Sequence, residues 1–266
     1  MLKKSVLAAT FTAALAVSHN AAATIVLVET NMGDFEINLF DQTTPKNVAN
    51  FLSYVKEGAY DNTVIRRTVK DFVVQAGGFR YSGNNANPFT PLTEKSPVQN
   101  EPKLSNVRGT VAMAKVAGDQ HSAKRQWFVN LENNANPAYS ENLDRQNGGY
   151  TVFGVITGTG MSILDSIENL YIPGANTGNF AGVPLRNYSA TDLANNVAVT
   201  ASNLVTIERI TVINDSPTTA ANLNPALNTQ AGQNAGNDSS GGGGGSVGSA
   251  LLLALAGLAF WRRRKV

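Results

Sequence analysis

Short runs of alternating apolar and polar residues, broken by Asn, Gly and Pro, dominate residues 24–214. A period of two is the pattern of a half-buried strand. Residues 25–29 and 35–39, separated by the turn cluster at 31–34, predict a hairpin. Further strands are expected at 64–69, 72–76, 110–115, 127–131, 152–156 and 204–213. Two stretches are helical instead. In the first, Thr43 or Thr44 is the expected cap, Pro45 sits in the first turn, Val48, Phe51, Leu52 and Val55 form an apolar stripe, and Gly58 stops the helix. The second covers about residues 161–170. Many short strands with two helices predict a mainly β fold, a closed antiparallel eight-stranded β-barrel capped by two α-helices. Residues 80–106 and 171–203, rich in Asn, Pro and Gly, read as long loops, where binding surfaces often sit. Residues 215–246 hold almost no large apolar side chain and read as a flexible linker.

The two ends follow different patterns. Lys3 and Lys4, an apolar stretch over residues 6–17 too short to span a bilayer, and an A-x-A site at Ala21 and Ala23 predict a signal peptide over residues 1–23. At the other end, the glycine run 241–245 precedes an apolar stretch, Trp261 and the basic cluster Arg262, Arg263, Arg264 and Lys265. Residues 247–266 thus read as a sorting or anchor segment with its basic end toward the cytoplasm. The arrangement resembles the GlyGly-CTERM sorting signal of Gram-negative bacteria, which implies a transient inner-membrane anchor cut by a rhomboid-type protease. A permanent single-helix anchor is the alternative. Either reading implies an exported globular part, periplasmic or at the cell surface.

These ends account for the basic charge. Six of the 21 basic residues and none of the 19 acidic ones lie in them, which leaves 15 against 19 and a net charge of −4 between. The overall basicity is therefore no sign of nucleic-acid binding, which needs a basic stripe on the folded surface. The chain has no cysteine and only two histidines, His19 and His121. Stability must come from the core without disulfides, and zinc sites built from Cys and His are effectively excluded.

The candidate chemistry lies in YDNTVIRRTVKDFVVQAGGF, residues 60–79, where Arg67, Phe72 and Gln75 punctuate an apolar run closed by Gly77 and Gly78. An arginine donor beside an aromatic wall suits a proline-containing peptide. The segment resembles the cyclophilin peptidyl-prolyl isomerase signature, F-H-R followed by x-x-x-x-F-M-x-Q-G-G. Ile65, Arg66 and Arg67 stand at the F-H-R positions, and Phe72, Val73 and Gln75 at F, M and Q. RGTVAMAK (108–115), RQWFVN (125–130) and YTVFG (150–154) are similar to three further blocks of that family, in the same order. The departures are Ile65, Arg66, Val73, Asn142 in place of an aromatic before Leu143 and Asp144, and Tyr150 in place of a histidine. Residues 132–141 look like an insertion.

The resemblance implies a catalytic role for Arg67. It implies a substrate site of Phe72, Val73, Gln75, Ala114, Lys115, Gln126, Phe128, Leu143 and Tyr150, with no metal and no cofactor. It implies that the protein acts as a monomer on proline-containing peptides and unfolded exported proteins. The physical logic agrees. Rotation about an X–Pro bond faces a barrier of about 18–20 kcal/mol from amide resonance, and a fixed guanidinium can stabilise the twisted amide without a nucleophile. A cyclophilin-like module that holds peptides with weak or no isomerase activity is the alternative. A hydrolase built on His121 and Ser122 is disfavoured, because sequence neighbours are poorly placed for a triad and no G-x-S-x-G elbow is present.

Overall fold

The computed structural model describes residues 24–138, 142–216, 219–220 and 223–232. The expected signal peptide, the glycine run and the expected sorting segment lie outside the described residues. Among the described residues no helix is long and apolar enough to cross a membrane.

The strands are β1 (Ile25–Thr30), β2 (Phe35–Leu39), β3 (Thr63–Val64), β4 (Arg67–Val69), β5 (Val73–Ala76), β6 (Phe79–Tyr81), β7 (Phe89–Pro91), β8 (Thr110–Met113), β9 (Trp127–Asn130), β10 (Val152–Thr157) and β11 (Thr206–Asn214). They form one antiparallel sheet in the order β4-β5-β9-β8-β10-β2-β1-β11-β3-β6-β7. The closed eight-stranded barrel expected from the sequence is therefore corrected to a curled, open eleven-stranded sheet. The physical reason lies at residues 64–69, a β-branched stretch, VIRRTV, that reads as one strand. The chain breaks there, because β3 pairs with β11 whereas β4 pairs only with β5. Ile65 points into the inner core and its N–H donates to Val205 O at 3.0 Å. Two residues thus cross the seam, and the curl is joined there by the chain itself rather than by a ladder.

Helix α1 (Pro45–Lys56) packs Val48, Phe51 and Val55 inward, and α2 (Gly160–Glu168) packs Leu164 and Ile167. A third short helix, α3 (Ala190–Ala194), lies in the 171–203 segment and adds to the two expected. Thr44 occupies the cap position of α1 but makes no side-chain cap bond. The carboxylate of Glu101 takes that role from 54 residues away, accepting the N–H groups of Lys46 and Asn47 at 3.1 Å and the Asn47 side-chain amide at 2.8 Å. A negative group there also meets the helix dipole favourably.

The concave face of the sheet holds the main core. Phe51 sits at its centre, in ring contact with Tyr60, Trp127 and Phe153 at 5.4, 6.1 and 5.1 Å. The convex face carries a second, smaller cluster that includes Val73, Ala112, Phe128, Leu143, Tyr150 and Val152. A third cluster forms where Phe180, Val183, Leu185 and Tyr188 cover Val64. The 171–203 segment, expected to be a loop, is therefore packed against the sheet. Residues 223–232, read as linker, likewise lie against the domain: Leu223 packs on the convex-face cluster and Leu227 bridges to Leu104.

Candidate active site

Strand register assembles the site. Residues directly opposite each other on antiparallel strands share a face. Arg67 on β4 faces Gln75 on β5, Gln75 faces Phe128 on β9, and Phe128 faces Ala112 on β8. One cross-strand row thus runs Arg67, Gln75, Phe128, Ala112 over the convex face. Val73, two residues from Gln75, is on the same face, 2% exposed. Leu143 and Tyr150 flank the turn between β9 and β10, and Tyr150 meets Phe128 edge-on, with centroids 5.7 Å apart and planes at 72°. Phe72 and Ala114 pack on the same cluster while remaining partly exposed. The amides of Gln75 and Gln126 are hydrogen-bonded at 2.9 Å. Just past β5, Gly77 sits at φ +78°, and a Cβ there would stand 2.7 Å from Arg125 O and 2.8 Å from the Trp127 ring, so only glycine fits this close approach to the β9 segment. All ten residues singled out from the sequence are gathered on this face.

The Arg67 side chain is 5% exposed, and its buried Nη1 has no hydrogen-bond partner among the described residues. A buried donor left unpaired is costly. Burial, and then the neighbouring charge of Arg66, lower its pKa, against the opposing effect of Tyr150. Burial also raises the Tyr150 phenol, with Arg67 opposing.

Lys115 closes one end. Its ammonium donates to Asn147 O and Gly149 O, both at 2.7 Å, and lies 4.5 Å from the Tyr150 ring centroid. Burial lowers its pKa from 10.5 to about 7, with Asp119 opposing. Between pH 7 and 9 the unfolded chain holds a proton here that the folded chain has lost, so stability rises with pH across that window. Below pH 7 both states are charged. Urea midpoints of the wild type are expected to climb from pH 7 to 9, and Lys115→Met to flatten the climb. An unchanged slope in the variant would refute this account of Lys115.

Sequence reasoning missed two parts of the site. Arg66, a departure from the family pattern, points away from the pocket: it donates to Ala181 O at 3.1 Å and Asn179 O at 3.3 Å, and its guanidinium lies 4.4 Å from the Phe89 centroid. It ties the 171–203 segment to the sheet, beside Arg67. Thr68 N–H donates to Gly182 O at 2.8 Å, and a Cβ on Gly182 would stand 3.8 Å from Arg67 Cγ. The second part is a buried polar network under the pocket. The Asp144 carboxylate accepts from Ser105 Oγ, from Asn106 N–H at 2.8 Å and from the Asn106 side chain at 2.9 Å. Asn134 donates to Asn130 at 2.7 Å and to Phe72 O at 2.9 Å. An Asn-rich loop was the available signal, since buried amides must be paired.

The His121–Ser122 pair is not a nucleophile site. Ser122 Oγ donates to Asp119 O at 2.6 Å and accepts from Val116 N–H at 2.7 Å, while His121 Nδ1 accepts from Asn100 N–H at 3.2 Å. Both side chains staple a loop.

Comparison with known proteins points the same way. Residues 25–188 match the family described as cyclophilin type peptidyl-prolyl cis-trans isomerase/CLD. A peptidyl-prolyl cis-trans isomerase of Acinetobacter baylyi is 36% identical over 172 residues, which cover 63% of this chain and 82% of the relative. Peptidyl-prolyl cis-trans isomerase B of Escherichia coli is 38% identical over 149 residues, 55% of this chain and 85% of the relative. Among solved structures, a cyclophilin type isomerase of Cryptosporidium parvum superposes with a TM-score of 0.50 at 21% identity, covering 73% of this chain and 99% of that one. This last likeness speaks to the fold alone.

Proposed function

Because the chain belongs to the cyclophilin-type peptidyl-prolyl cis-trans isomerases and is an enzyme of that activity, we propose that its convex-face row is the active site, with Arg67 as the catalytic donor. The observation that carries this reading is the buried, unpartnered Arg67 Nη1 beside an apolar cluster. A proline ring seated on Phe128, Val73, Phe72 and Leu143 is held still while the preceding amide turns. Arg67 donates to that amide as its resonance is lost, an interaction stronger in the twisted state than in the planar one. Gln75 and Gln126, already paired with each other, offer the remaining amide groups to the peptide backbone. Ala114 and Lys115 line the adjoining groove, and Tyr150 backs Phe128.

Clients, on this reading, are proline-containing segments of unfolded exported proteins, met by a monomer in the periplasm or at the cell surface. The pattern of the two chain ends supports export. Mass spectrometry of the mature protein's ends tests it: an N-terminus near Thr24 is expected, and one retaining residues 1–23 would overturn it. The activity assay is isomerisation of an Xaa-Pro peptide. The wild type is expected to accelerate it well above background, and His121→Ala to match the wild type. A peptide that binds without acceleration would leave a binding module instead, and loss of activity in His121→Ala would reopen a hydrolytic or histidine-dependent mechanism.

A further inference from the structure

We propose that residues 223–232 are a positioning strap for the proline pocket, holding the turn that carries Leu143 and Tyr150 in its binding geometry. The inference rests on the active-site reading above and extends it to a segment whose composition reads as linker.

The strap first docks on the 103–105 segment. Ser105 N–H donates to Ala226 O at 2.8 Å, and Asn228 N–H donates to Lys103 O at 3.0 Å. Leu227 is 71% exposed, so burial of that side chain does not hold the docked segment. Side-chain amides then reach the pocket turn on both sides of Leu143. Asn228 Nδ2 donates to Asp144 O at 3.0 Å. Gln230 Nε2 donates to Ala135 O at 2.8 Å, and its Oε1 accepts from Asn142 Nδ2 at 2.9 Å. The orientation of Asn228 is set from within the strap, since its Oδ1 accepts the N–H groups of Gln230 at 2.8 Å and Ala231 at 3.0 Å. Its amine is thereby left facing Asp144.

Asn142 gives the arrangement its meaning. It stands where the family pattern has an aromatic residue, yet it is 1% exposed and cannot meet a peptide. Its amide bridges Ala135 O at 3.1 Å and Gln230. Leu143, the next residue, receives its own backbone support at both ends: its N–H donates to Asn134 O and its carbonyl accepts from Tyr150 N–H, each at 2.8 Å. Leu223 packs on the convex-face cluster that contains Leu143, Val73 and Phe128. The strap thus packs Leu223 on the cluster that forms the pocket wall and pins the flanks of Leu143 at Asn228 and Gln230. Neither amide touches substrate, so both are positioning residues.

The test is the double variant Asn228→Ala/Gln230→Ala in the full-length chain. KM for an Xaa-Pro peptide is expected to rise about fivefold with kcat held within about twofold, the signature of lost uniform binding. NMR signals of the Leu143 methyls and the Tyr150 ring are expected to shift or broaden, a readout that needs no activity. Restoring Gln230 alone should recover part of both effects. Unshifted Leu143 and Tyr150 signals would overturn the proposal, as would a fall in kcat at constant KM. A wild type without isomerase activity would refute the active-site reading, and the NMR arm would still decide the strap.

Discussion

Arg67→Ala is expected to lower the isomerisation rate by about 10²–10³-fold, the usual cost of removing one donor aimed at a transition state, while leaving the protein at least as stable as the wild type. The second half of the expectation is the more diagnostic. A buried arginine that serves the fold leaves orphaned partners when removed, and stability falls. Here Nη1 has no partner to orphan, and burial of the guanidinium is itself unfavourable, as its lowered pKa records. Urea unfolding and the peptide assay on the same sample decide between these outcomes. Arg67→Lys keeps a charge but loses the planar fork, and recovery of only part of the activity is expected. Full activity in Arg67→Ala would remove Arg67 from the mechanism. A large loss of stability would recast it as a structural residue.

Asp144→Ala is expected to destabilise the protein by about 3 kcal/mol, because removing a shared acceptor strands buried donors that each cost about 1–3 kcal/mol unpaired. Asp144 is 1% exposed and forms no ion pair among the described residues, its oxygens being met by the Ser105 hydroxyl and two N–H groups of Asn106. With a typical total of about 5–15 kcal/mol, such a loss is visible as a large shift of the urea midpoint. Activity in the surviving folded fraction should fall too, because Asn106 also donates to Tyr150 O at 3.1 Å. A change below about 1 kcal/mol would show that water replaces the carboxylate and that the network is not a strut of the pocket.

The convex-face row was legible because strand alternation and motif spacing both depend on local order along the chain. Arg67 and Gln75 fall on neighbouring strands of a tight hairpin and Phe72 in the turn that joins them, so their relation survives folding nearly unchanged. The seam was not legible. Residues 64–69 carry β-branched side chains at both ends and read as one strand, and nothing local tells that Val64 pairs with Thr206 while Arg67 pairs with Gln75. The strap escaped for another reason. Hydropathy patterns register apolar burial, whereas residues 223–232 are held mainly by amides of Asn and Gln, whose partners lie 84 to 95 residues away. Arg66 likewise looked like an unexplained substitution until its carbonyl partners 113 and 115 residues onward came into view.

The break at Ile65 and Arg66 has one more effect. Opening the sheet leaves β4 as an edge strand, and an exposed edge can recruit other chains as extra strands. The strand is three residues long, and its Thr68 N–H is occupied by Gly182. At the other edge, β7 ends in Pro91, which has no N–H to offer. On the active-site reading proposed above, an extended proline-containing peptide would find side chains next to Arg67 but little backbone to zip onto.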